Sequence, residues 1–454
     1  MESDQGYTAR KKGTDVGRKR IGIRREDKHE WESRVPITPA AVSKLMEGSD
    51  LEFVVQSSEI RIFSDEEYRQ AGAIINEDLG GSDVVFAVKE IPQELFEKNG
   101  VYVFFSHTIK GQKQNMPILR QLMDLGCTLL DYERIVDAKN RRLVFFGRHA
   151  GLAGMVDTLW LAGHRLQAMG HMTPFLDLKL THEYGSLAEA KSAVTAVGKA
   201  IEKNGIPSAI APFICGFAGY GNVSQGAQEI YDLLPVQTIE PDDLERLTNQ
   251  PDHSKNGLFK VVFKEENLVT PKNLESTFVL QDYYDTPKNY RGTFEHHVVH
   301  LSLLVNGIYW TADYPRLLTK DFLRDWYGGE SKPRLIAVGD ISCDIEGAVE
   351  STVHATTPGS PAYVYDPMTE STSDGWGGFG LAMMTTDCLP CELSRESSET
   401  FTEALMPYVT SIAHLDTELP FEEVDLPPEI KGGLILWRGE LTPHFQYLNL
   451  HLSG

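Results

Sequence analysis

Residues 213–227, FICGFAGYGNVSQGA, followed by QEIYDLLP and VQTIE, narrow the fold more than any other stretch. An apolar run at 213–217 breaks at Gly219 and Gly221, and an amphipathic run with Ile230, Leu233 and Leu234 on one face comes next. Strand, glycine turn and helix in that order are what a dinucleotide-binding turn needs. Gly219 permits the sharp bend, and Gly221 lets the amides of Asn222, Val223 and Ser224 approach a pyrophosphate at the positive end of the helix. A second apolar run, 236–239, ends in Glu240 about twenty residues after the first glycine, where a carboxylate can accept hydrogen bonds from a ribose. The third glycine of G-x-G-x-x-G is Ser224 here, and the small pair Gly226-Ala227 follows slightly later. An ordinary glycine turn has the same local sequence, so the flanking elements and the acid carry the nucleotide-binding expectation.

The chain has 454 residues, too many for one core, which predicts two domains or three. Its net charge of −22 argues against nucleic acid or an anionic membrane as partner, because both reward clustered positive charge. A small acidic substrate needs only a few local arginines. No apolar run is long enough to span a membrane as a helix. Residues 1–20 are charged and lack an apolar core, so they read as a flexible basic tail and not as a secretory signal. Five scattered cysteines suit a reducing compartment, the cytoplasm or the mitochondrial matrix, with the cytoplasm preferred. Cys388-Leu-Pro-Cys391 has no second pair and no histidine nearby in sequence, so no metal is expected.

From Ile21 onward, apolar strands alternate with amphipathic helices and end in polar residues. This predicts an α/β fold of two Rossmann-like domains whose parallel sheets flank a cleft, with ligands outside the carboxyl ends of the strands. SDVVFAVKE delivers Lys89 and Glu90 at a strand end; VYVFFSHTIK delivers Ser106, His107 and Lys110. A strand at 143–146 is expected to complete the first unit. A long apolar helix rich in small residues at 150–169 reads as a close-packed connector. The polar region 249–292 predicts long loops. Later apolar runs include 334–344, whose end presents Asp340, and the chain closes with a helix at 396–412 and a strand near Leu434.

Lys89 and His107 stand out as a pair. Histidine passes protons near neutral pH, and a lysine that is desolvated or near another cation can act as a base. Arg24, Arg34 and Arg142 are candidates for binding carboxylates through a planar, two-pronged donor. His296, His297 and His300 invite a metal, but no third ligand stands at a fixed spacing and the surrounding sequence alternates like a strand, so no metal is expected there either.

The ordered set IRREDKHEWESRVPITP, AVKE, FFSHTIK, LLDYE, FFGRHAGLAGM, GYGNVSQGAQEIYDLLP, NGIYW, PRLLT and GDISCDIEGAVE resembles the lysine–ketoglutarate reductase domain of bifunctional aminoadipic semialdehyde synthase, from about Arg20 to the end. More distantly it is similar to fungal saccharopine dehydrogenase, alanine dehydrogenase and the soluble part of transhydrogenase. The resemblance implies a substrate and catalytic domain at 21–149 plus 350–454 and a dinucleotide-binding domain at 150–349. It implies condensation of L-lysine with 2-oxoglutarate and reduction to saccharopine with NADPH. Glu240 would repel a 2′-phosphate, which keeps NADH as an alternative. Lys89 and His107 match the acid–base pair, Arg24 and Arg142 the carboxylate anchors, and Glu90 and Glu133 the acids near the amine. Gly219, Gly221, Asn222, Val223, Ser224, Glu240 and Asp340 make up the expected cofactor set. A saccharopine dehydrogenase, fused or separate, is the implied partner. The competing expectations are an NAD-dependent, lysine-forming enzyme, another amino-acid dehydrogenase, and a nucleotide-binding regulatory domain without catalysis.

Overall fold

Two eight-stranded, mostly parallel sheets form the framework of the chain. The computed structural model describes residues 17–249, 257–330 and 332–452, so most of the expected tail lies outside the described residues. The chain divides into a first unit of residues 1–28, 35–145 and 398–454 and a second of residues 29–34 and 146–397.

In the first unit, β1 (Lys19–Ile23), β2 (Leu51–Val55), β3 (Ile74–Ile75), β4 (Val84–Phe86), β5 (Val101–Phe104) and β6 (Thr128–Asp131) pair in parallel in the order β6-β5-β4-β1-β2-β3. Every residue of β5 and β6 is buried, as expected of a parallel sheet covered on both faces. Helices α1 (Pro39–Met46), α2 (Asp65–Gln70) and α3 (Met116–Asp124) connect the strands, and Ser64 and Glu67 close a reciprocal capping box on α2. The outer edge of β6 is taken by an antiparallel strand from the far end of the chain, Leu434–Trp437. That pairing leaves no slot for the expected strand at 143–146, which instead runs into a helix beginning at Gly147.

In the second unit, α4 (Gly147–Ala168), α5 (Leu187–Asn204), β7 (Phe213–Ala218), α6 (Asn222–Tyr231), β8 (Val236–Thr238) and β9 (Leu258–Phe263) open the fold. A small antiparallel pair, β10 (Val269–Pro271) and β11 (Tyr290–Gly292), precedes β12 (Leu303–Asn306), β13 (Ala337–Asp340), β14 (Ala362–Asp366), β15 (Ser371–Asp374) and β16 (Leu381–Met384). The strand order is β15-β14-β16-β13-β12-β7-β9-β8. The expected loop region contains β9, a buried strand inserted between β7 and β8. The expected return to the first unit at 350 is delayed to 398, because β16 pairs in parallel with β13 and draws β14 and β15 into the second sheet.

Helix α4 is buried along most of its length. It crosses α6 at backbone distance: a Cβ at Gly151 would overlap the Val223 carbonyl, and one at Gly226 would overlap the Arg148 carbonyl. Gly226 is therefore required by helix packing.

Asp157 of α4 is also buried, accepting hydrogen bonds from the Thr181 amide and hydroxyl, both at 2.9 Å. Its second oxygen and Glu392 Oε1 find no other donor, so the two carboxyl groups share a proton. Burial raises both, Glu392 to about 7, with the hydrogen bond to Asp157 and then the His182 amide at 3.2 Å as the opposing influences. An acid whose folded pKa is raised stabilises the fold below its ordinary pKa and loses that contribution as pH rises through the folded value. Thermal stability should therefore fall as pH rises from about 4.5 to about 7, by on the order of 3 kcal/mol, and level off above that. Glu392→Gln, which donates to Asp157 at every pH, should flatten the profile; an unchanged slope in melting experiments would refute the shared proton.

Candidate functional site

The first unit gathers its polar groups where β4 and β5, paired neighbours, end. After β4 the chain turns through Val88 and Lys89, whose amides donate to the buried carboxylate of Glu26 at 2.6 and 2.9 Å. After β5, Asp131 at the end of β6 accepts hydrogen bonds from the Ser106 amide at 2.9 Å and hydroxyl at 2.5 Å. Ser106 Oγ lies 2.8 Å from Thr108 Oγ1. Asp131 is fully buried, and burial raises its pKa despite these donors. The network pins both flanks of His107, whose backbone sits at φ +51°. A non-glycine residue held in the left-handed region is a feature of sites where position matters more than local comfort.

His107 Nδ1 lies 2.6 Å from Glu90 Oε1, and the other oxygen of Glu90 accepts from Lys28 Nζ at 2.8 Å. Burial pushes Glu90 up, but His107 and Lys28 outweigh it and hold the carboxyl near about 2. Glu90 is thus ionised at neutral pH, so Nδ1 carries the proton and Nε2 is the ring atom left to exchange one. Glu90 and His107, expected separately, form one constellation with Lys89 on the adjoining residue.

Glu133 and Arg142 are also brought together as an ion pair, the arginine half-exposed and Glu133 nearly buried beside Asp131. Arg24, expected as a carboxylate anchor, is held by its own neighbours in the chain. It is buried, donates to the Arg25 carbonyl at 2.6 Å and pairs with Asp27 at 2.5 Å. Arg34 is buried in the second unit, bidentate on Glu32 at 2.7 and 2.6 Å and stacked on Phe146 at 4.2 Å. Glu26 and Asp131, which organise the two strand ends, were missed by the sequence reading; their signal was a lone carboxylate beside apolar runs.

In the second unit, β7 is followed by Gly219 at φ +91°, and Gly221 starts α6 without a side-chain cap. The first-turn amides of Asn222, Val223 and Ser224 are thereby left to an external acceptor. A Cβ on Gly221 would meet nothing within 4 Å, so no protein atom demands glycine there and the space in front of the turn is open. Ser224 is buried, its hydroxyl accepting from Gln228 at 3.0 Å. Beside the turn lies a cavity of about 500 Å³ lined by Gly219, Gly221, Glu265, Tyr284, Ile308 and Arg316.

Two of the expected cofactor residues are not at this cavity. Glu240 is exposed beyond β8, the outermost strand of the sheet, because β9 separates β8 from β7. The carboxylate next to the glycine turn is Glu265, just past β9, accepting from Tyr284 at 2.7 Å and facing Tyr220 at 3.5 Å. Asp340 is 1% exposed and takes hydrogen bonds from Asn306 at 2.8 Å, Thr352 at 2.5 Å and the Cys343 amide at 3.2 Å. Burial raises it to about 6 against those donors, and its role is to tie the ends of β12 and β13 together. The expected strand around His296, His297 and His300 is a short helix, Glu295–Val298; His297 packs on Phe263 and His300 bonds Thr248 at 2.8 Å.

Residues 22–153 match the family model of the alanine dehydrogenase/PNT N-terminal domain. The chain is 36% identical to alpha-aminoadipic semialdehyde synthase of Arabidopsis thaliana over 99% of its own length and 42% of that protein. It is 33% identical to the mitochondrial enzyme of the same name from Bos taurus, over 94% and 47%. The chain thus spans under half the length of these relatives. Saccharopine dehydrogenase [NAD(+), L-lysine-forming] of Neurospora crassa is 27% identical over 86% of the chain and 91% of that protein. Among solved structures, an L-alanine dehydrogenase has a TM-score of 0.56 at 18% identity, covering 95% of this chain and 99% of that one. The transhydrogenase from Sinorhizobium meliloti has a TM-score of 0.51 at 14%, over 93% and 100%. These two carry the fold alone. Among the described residues no helix is long and apolar enough to cross a membrane.

Proposed function

We propose, from its match to the alanine dehydrogenase/PNT N-terminal domain over residues 22–153 and to one part of alpha-aminoadipic semialdehyde synthase, that the chain is a nicotinamide-dependent oxidoreductase of lysine degradation. It condenses L-lysine with 2-oxoglutarate and reduces the imine to saccharopine. The observation that carries this reading is the His107–Glu90–Lys28 constellation beside Lys89 at two adjoining strand ends.

The reaction needs a deprotonated lysine amine to attack the ketone and a proton for the departing hydroxyl. His107 Nε2, with Nδ1 held by Glu90, moves those protons, and Lys89 shares the acid–base work. Arg142, half-exposed, exchanges Glu133 for a substrate carboxylate, and Arg24 anchors a second one from its buried position. The amides of α6 would hold the cofactor pyrophosphate, Glu265 a ribose hydroxyl, and the aromatic cavity wall the rest of its adenosine half. When bound, the reduced nicotinamide supplies the hydride. NADPH is the first reading of the coenzyme. Glu265 favours NADH as a second, since a carboxylate repels a 2′-phosphate. The reducing compartment is the cytoplasm or the mitochondrial matrix, and a saccharopine-consuming dehydrogenase is the partner, fused or separate.

The test follows NADPH and NADH absorbance with lysine plus 2-oxoglutarate, and then with pyruvate plus ammonia. Oxidation with the first pair only is expected. Tight nucleotide binding without turnover of any pair would turn the assignment to a regulatory domain. Glu265→Gln should raise the NADPH-to-NADH ratio of kcat/KM by about tenfold, and an unmoved ratio would remove Glu265 from the ribose site.

A further inference from the structure

Cys388 and Cys391 have no histidine near them in sequence, but folding of the second unit brings one from the other end of the chain. The ligand atoms of His29, Cys388 and Cys391 all lie within 4.8 Å of one another. Both cysteines are nearly buried, at 6% and 7% exposure. They flank the start of the short helix Leu389–Leu393, where the Cys391 amide donates to the Cys388 carbonyl at 2.8 Å. His29 opens the excursion 29–34, which belongs to the same unit. The two segments are already joined: Ser33 donates to Ser394 at 2.7 Å, and Ser394 to the Cys391 carbonyl at 2.6 Å. Cys391 Sγ donates to Glu32 Oε2 at 3.4 Å, and Glu32 is gripped by Arg34.

We propose that His29, Cys388 and Cys391 form a zinc site, with Glu32 or a water in the fourth position. Two sulfurs and an imidazole nitrogen are the donor set that selects zinc over magnesium or calcium. With Zn–S of about 2.3 Å and Zn–N of about 2.0 Å, a tetrahedral ion spaces its ligand atoms by roughly 3.5–4 Å. The side chains therefore need to close by no more than about 1 Å. Binding exchanges one Zn²⁺ for the two thiol protons, which pass to solvent, and leaves two thiolates on the ion. Burial keeps the Cys391 thiol protonated in the metal-free chain, and the cation reverses that preference. Arg34 balances the negative charge that Glu32 adds. The ion would staple the segment 29–34 to the loop at 388–391. That segment directly follows Lys28, the partner of Glu90.

The test uses the full chain, reduced, stripped of metal and titrated with Co²⁺ and then Zn²⁺. One equivalent of cobalt should give thiolate-to-cobalt charge transfer and the intense visible bands of a tetrahedral site, both erased by zinc. Cys391→Ser should remove most of the charge-transfer intensity, and His29→Ala should weaken zinc binding about tenfold or more. The wild-type titration does not depend on the variants folding: no cobalt–thiolate absorption in the reduced chain overturns the proposal. So does a signal that survives both substitutions.

Discussion

Lys89→Met and His107→Ala should each lower turnover about a hundredfold or more, with nucleotide affinity unchanged. The expectation rests on how the two residues are held. Glu26 fixes the backbone at Lys89, Asp131 fixes Ser106 just before His107, the Ser106 hydroxyl in turn meets Thr108 just after it, and Glu90 fixes the imidazole tautomer. Glu90→Gln offers a graded companion. The amide keeps the shape but presents no charge to the ring, so the loss should be smaller than that of His107→Ala. Steady-state rates near wild type in both Lys89→Met and His107→Ala would remove the acid–base assignment.

The second large effect separates two glycines of the same turn and helix. Gly221→Val should leave the fold intact, because nothing of the protein stands within 4 Å of its added Cβ, yet weaken nucleotide binding by about a hundredfold by blocking approach to the α6 amides. Gly226→Ala should do the opposite. Its methyl would overlap the Arg148 carbonyl, forcing α4 and α6 apart at a cost of about 3 kcal/mol or more. Melting temperature and nucleotide titration, measured on both variants, decide the matter. A Gly221→Val chain that binds like wild type would mean that the pyrophosphate lies elsewhere.

What could be read from residues alone was whatever obeys local rules. The α6 turn follows from two glycines between an apolar and an amphipathic run, and α4 from an unbroken small-residue helix. Glu240 stands away from the glycine turn because sequence order is not sheet order. The run Leu258–Phe263, LFKVVF, is a short buried strand inside a polar region, and a window dominated by polar neighbours hides it. Once β9 is inserted beside β7, the acid after β9 takes the position that an adjacent β8 would have given to Glu240. Ser224 looked like a flaw in the glycine motif, but the close approach is supplied by Gly226 two residues later. Asp340 was sought as a ligand because it ends a strand; three donors at its carboxylate make it an internal tie. Pairings such as His107 with Glu90 depend on loop paths that no periodicity encodes.

The chain passes between its two units at residues 28/29, 34/35, 145/146 and 397/398. One half is therefore assembled from three separate lengths of polypeptide and the other from two. A protease cut or a truncation at any single bond cannot set either half free, and removing everything past 397 would strip the β6 edge of its antiparallel neighbour. Anyone wishing to study one half alone would have to rejoin the pieces by new loops.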